Sequence, residues 1–144
     1  MEKIRIQRNI KRIEVNDDGE FITLDFDDLE LPYRYYAMIK NFDKDRVKFA
    51  NELSQKLKGK PASVCSEELV DAERKMNIYF RDAIDKVFGE GTCRKVYGDI
   101  LPSFEMHMQF FDLLRPYFEE EAKRRQERMN KYSARRMGNV KHNS

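Results

Sequence analysis

His107 and His142, Cys65 and Cys93, and the carboxylates Glu67, Glu68, Asp71, Asp82 and Asp85 are the side chains whose types and spacing bear on catalysis or metal binding. Asp82 and Asp85 stand three apart, on one face of a helix, a spacing able to share a hard cation if further oxygen ligands converged on it. Arg81 and Lys86 alongside them favour a solvated charged face instead. Glu105, two residues before His107, points roughly 200° away around a helix. Neither the HExxH pattern of zinc peptidases nor the Glu-x-x-His of di-iron bundles is therefore present, and His107 reads as a core or interface residue. The two cysteines show no CxxC spacing and read as free thiols in a reducing compartment. A Cys–His nucleophile pair gains no support from their positions. These residues predict a chain with no catalytic site, no metal and no cofactor.

The glycine segment from Phe88 to Asp99 is the other place to look for chemistry. A phosphate loop needs GxxxxGK followed by Ser or Thr, and Gly91-Thr92-Cys93-Arg94-Lys95-Val96-Tyr97-Gly98 does not supply it. The dinucleotide pattern GxGxxG fails as well, because Arg94 takes the place of its third glycine and a helix precedes it. Helix capping and chain reversal explain Gly89, Gly91 and Gly98, and with Asp99 they form a structural hinge.

The elements that position these residues follow from pattern. At 144 residues the chain has the length of one domain, and 40% apolar content with ten Phe and seven Tyr argues against wholesale disorder. The fold class expected is mainly α with a small N-terminal β-hairpin. The hairpin occupies residues 1–26: Ile4 and Ile6, then Ile13 and Val15 in the opposite parity with a bulge near Lys11, a turn at Asn16-Asp17-Asp18-Gly19, and a strand with Ile22, Leu24 and Phe26 on one face. Pro32 opens a first long helix to Gly59, broken near Asp43, with Ile39, Phe42, Arg46, Val47, Ala50, Leu53 and Leu57 at helical spacing. Ser66 caps a second, which buries Leu69, Ala72, Met76, Phe80, Ala83 and Val87 and stops at Gly89. Thr92 caps a short helix over Cys93 to Tyr97, and Ser103 caps the last, with Phe104, His107, Phe111, Leu114 and Phe118 as its apolar stripe.

Pro116 falls inside that last pattern and should kink the helix. Beyond it the composition changes. From Lys123 onward eight basic residues face one acidic, leaving a body of net −5 with a tail of +7. Glu119, Glu120, Glu121 and Glu127 each stand four residues before a Lys or Arg, pairs that support a helix with little packing. The expectation is a single domain over residues 1–132 whose last helix projects, and a basic flexible tail over 133–144. Arg124, Arg125, Arg128, Met129 and Tyr132 are its expected partner-binding residues. Nucleic acid is the weaker reading of this basic end, since Tyr132 is the lone aromatic there and acidic neighbours offset the charge. No apolar run is long enough to span a bilayer and the N-terminus has no signal-peptide pattern, which predicts a cytoplasmic protein without membrane association.

Phe88-Gly89-Glu90-Gly91-Thr92, Val96-Tyr97-Gly98-Asp99, Phe110-Phe111, Pro116-Tyr117 and Lys131-Tyr132-Ser133, taken in order, resemble a small family encoded in the tail-gene clusters of Gram-positive siphophages and prophages, similar to tail assembly chaperones. The resemblance spans roughly residues 20 to 136. It implies a non-enzymatic role in the host bacterial cytoplasm: binding the long helical tape measure protein, assisting tail tube protein to polymerise around it, and leaving before the particle is complete. It carries no catalytic residues. It leaves room for a homo-oligomer and for a frameshifted longer form. Two other classes fit the residues: a structural virion component such as a head-tail connector or minor tail protein, and a basic nucleic-acid-binding regulator.

Overall fold

The computed structural model describes residues 1–142, and side chains through Arg135. The element order is β1 (Ile10–Glu14), β2 (Phe21–Asp25), α1 (Glu30–Leu57), α2 (Ala62–Phe88), α3 (Thr92–Tyr97) and α4 (Phe104–His142). This is the mainly helical α+β architecture expected, a two-stranded antiparallel hairpin followed by long helices. The chain divides into two compact units, residues 1–108 and 109–144, with the division falling inside α4.

Several boundaries differ from the pattern-based expectation, each for a local reason. The strands pair without a bulge, from Ile10 opposite Asp25 to Glu14 opposite Phe21. The change of parity between Ile6 and Ile13 arises because Ile4 and Ile6 precede the sheet and lie exposed. Helix α1 passes Asp43 without a break; the charged run Asp43-Lys44-Asp45-Arg46 contains no residue that removes a backbone donor or clashes with the preceding turn. Helix α2 begins four residues before Ser66. Pro61, with φ near −59°, provides the entry, and the Ser66 hydroxyl donates to the carbonyl of Ala62 inside the helix instead of capping it. At α4 the expected cap is present: the Met106 amide donates to Ser103 Oγ. Helix geometry then continues past Tyr132 to His142, through most of the segment expected as a flexible tail, because no proline follows Pro116. The last two residues of that segment, and the side chains from position 136, lie outside the described residues.

Within the first unit the core is built from one end of each long helix. Ile22 and Leu24 on the inner face of β2, and Phe26 just past its end, are buried, as their alternation requires. Buried positions in α1 are Leu31, Pro32, Tyr35, Met38 and Phe42, and in α2 Asn77, Phe80 and Ile84. The stripes read from spacing extended further: Val47 and Leu69, placed on them, are 53% and 44% exposed. Periodicity identifies the face of a helix but not how much of its length a neighbour covers. The described rings meet where the first turn of α4 arrives, with Phe80 centred 4.6 Å from Phe42 and 5.9 Å from Phe104.

Within the second unit Phe110, Phe111, Leu114 and Phe118 are buried, and Pro116 is carried inside the helix.

Candidate functional site

The glycine hinge is built as a latch between α2 and α3. Gly89, Gly91 and Gly98 have φ of 115°, 83° and 83°, in the region that favours glycine, so each reverses the chain where a Cβ would strain it. The Gly89 amide donates to the Asp85 carbonyl and closes α2. The Asp85 carboxylate then accepts from the amides of Cys93 at 2.9 Å and Gly91 at 3.4 Å, at the start of α3. Asp85 is thus a cap delivered from the preceding helix, where spacing alone suggested a solvated face or half of a metal pair. Among the described residues no group of three His, Cys, Asp or Glu is placed to hold a metal ion. Asp99, the fourth hinge residue, follows Gly98 at the exposed end of α3.

The hairpin is tied to the same segment. Asn16 accepts the amides of Asp18 and Glu20 on its Oδ1, fixing the turn, and its Nδ2 donates to the Lys95 carbonyl at 3.0 Å. Arg94 reaches Glu20 at 3.4 Å from the other side. Replacing Asp85 with alanine should therefore cost about 1–2 kcal/mol and loosen hairpin and α3 together, while asparagine, which keeps an acceptor, should cost less. Urea denaturation of the two variants checks this, and equal midpoints for alanine and wild type would remove the latch.

His107 is fully buried, and its Nδ1 is 2.9 Å from the Tyr97 hydroxyl. The rings of Phe42 and Phe80 stand 6.1 and 6.2 Å away. Burial lowers the His107 pKa from 6.5 to about 4, so the imidazole is neutral at physiological pH. Tyr97 is driven up, by burial first and then by Cys93. The Cys93 thiol is likewise held protonated, by burial and then by the Asp85 carboxylate, and approaches the Arg81 carbonyl. The shifts of all three groups run against general-base or nucleophilic reactivity at neutral pH, and Tyr97 and His107 form a hydrogen-bonded pair that orients α3 on the core.

The five expected partner-binding residues all lie on α4 in the second unit. At roughly 100° per residue, Arg124, Arg128, Tyr132, Arg125 and Met129 fall within an arc of about 140°. Glu121 lies inside that arc, only 4% exposed, and gathers Arg128 at 3.3 Å, Arg124 at 3.8 Å and Arg125 at 3.9 Å. Of the four expected acid-before-base pairs, only Glu121 with Arg125 forms among the described residues. One carboxylate organises three arginines, a convergence that pairwise spacing does not reveal. Met129 and Tyr132 are 70% and 77% exposed. Tyr132 shares a surface recess with Arg128, Lys131, Ala134 and Arg135.

Taken together, these features define a mainly helical α+β protein whose buried polar groups maintain its packing, and no described helix is long and apolar enough to cross a membrane. The chain belongs to a family of unknown function, DUF6673, whose model matches residues 18–143. No curated protein and no solved structure matches it significantly.

Proposed function

We propose that this protein is a non-catalytic tail assembly chaperone of a phage or prophage, acting in the host bacterial cytoplasm on the tape measure protein and assisting the tail tube protein to assemble around it. The observation that carries the reading is the pair of large apolar side chains, Met129 and Tyr132, exposed on a helix among cations. A thioether and an aromatic ring offer adaptable contact area to another helix, and the surrounding arginines steer an acidic or amphipathic partner onto it. Neutral, buried His107 and protonated Cys93 agree with a role that involves no reaction.

Co-expression with the tape measure protein from the same tail-gene cluster tests the proposal. The full chain should raise the soluble fraction of that partner several-fold, and the double substitution Met129→Asp/Tyr132→Asp should abolish most of the gain while the chaperone itself stays folded. No gain with the full chain, or an undiminished gain with the double variant, overturns it. Mass spectrometry of finished particles adds an independent check, since stoichiometric presence would make the protein a virion component.

A further inference from the structure

From Asp43 to Met76 the α1–α2 hairpin contains no buried residue, although both helices carry apolar side chains throughout that stretch. Those side chains line a groove of about 430 Å³ within the first unit, floored by Phe49, Leu53 and Leu57 from α1, Leu69 from α2, and Phe104 and Met108 from the start of α4. A pair of helices with this much unburied apolar surface is the half of a bundle that a further helix pair would complete.

The charges in the groove specify which pair. Arg46 lines it with a buried Nε that has no hydrogen-bond partner among the described residues. Glu105 lines the same groove, exposed, and the two side chains form no ion pair with each other or with any other described residue. Protein atoms already cover that Nε, but Arg46 as a whole is only half-buried, and its unpaired charge beside an apolar floor favours a carboxylate brought by a docking partner. A face bearing one unmatched cation and one unmatched anion on an apolar floor is its own complement under a two-fold rotation: Arg46 of each copy meets Glu105 of the other.

We infer that two copies of this chain dock through the α1–α2 groove as a symmetric dimer, with the reciprocal Arg46–Glu105 pairs setting its register. The inference is independent of the role of α4 in tail assembly, since it uses residues of the first unit alone.

Sedimentation velocity on the full chain tests it by charge reversal. Wild type should be dimeric at about 100 µM. Each single reversal, Arg46→Glu and Glu105→Arg, places like charges opposite each other and should raise the dissociation constant more than about tenfold. The double reversal Arg46→Glu/Glu105→Arg restores opposite charges and should return the constant to within a few-fold of wild type. Glu105 is exposed, so its variant should fold normally, and circular dichroism on every variant separates dissociation from unfolding. A monomer at all concentrations overturns the inference, as does a dimer indifferent to Glu105→Arg, or a double variant no tighter than the singles. A monomer whose groove instead binds an acidic helix from another protein overturns it too.

Discussion

Replacing Phe80 with alanine is expected to destabilise the protein by about 3–5 kcal/mol, a large share of the stability of a domain this size. Phe80 is buried at the point where α1, α2 and the first turn of α4 converge, with Phe42, Phe104 and His107 around it at centroid distances of 4.6, 5.9 and 6.2 Å. Removing the ring forfeits its transfer free energy and leaves a cavity that the three other rings, one fixed on α1 and two on the first turn of α4, cannot collapse to fill. Leucine, which restores most of the volume, should recover more than half of the loss. Equilibrium urea unfolding at neutral pH measures both, and a loss below about 1 kcal/mol for the alanine variant would show that this cluster is not the centre of the core.

The second large effect is a pH dependence that His107 imposes. Its folded-state pKa is about 4, lowered by burial from an ordinary value of 6.5. Between those values the unfolded chain binds a proton that the folded one excludes, so protonation favours unfolding. The stabilisation tied to neutral His107 is fully present above about pH 6.5 and is lost progressively as the pH falls to about 4. A shift of this size corresponds to about 3 kcal/mol at the acid end. Carboxylates titrate in the lower part of the same range, so the informative quantity is the difference between wild type and His107→Gln. The variant should be less stable at pH 7, having lost the fit to Tyr97, yet should lose about 3 kcal/mol less than wild type between pH 6.5 and 4. Parallel stability curves for the two proteins would show that the imidazole exchanges its proton equally well in both states.

Local rules made the elements legible. The alternation of Ile22, Leu24 and Phe26 placed the inner face of β2, Ser103 marked the start of α4, and the glycines marked both ends of α3, because strand parity, side-chain capping and positive φ are decided by a few consecutive residues. The same rules misplaced the break near Asp43 and the start of α2, where the competing options differ by fractions of a kcal/mol and a neighbour settles the choice. On α4, composition singled out Arg124, Arg125, Arg128, Met129 and Tyr132, but spacing paired Arg124 with Glu120 and Arg125 with Glu121 and gave Arg128 no acid. The gathering of all three arginines on Glu121 depends on that carboxylate being buried, which no spacing records.

By itself, then, the sequence determined the fold class, the element order, the separation of an acidic body from a basic helical end, and the lack of HExxH, GxxxxGK and GxGxxG motifs. All of these follow from interactions between residues within a turn or two of one another, and such interactions are written in the spacing. Only the tertiary structure decided that Asp85 is a cap for the next helix, that Tyr97 and His107 are partners, and that Arg46 and Glu105 share one groove without meeting. It also decided that the core stops at Phe42 and Asn77, leaving the far half of the α1–α2 hairpin uncovered. Each of these depends on where a second element ends in space, a long-range quantity that hydrophobic periodicity along one helix does not contain.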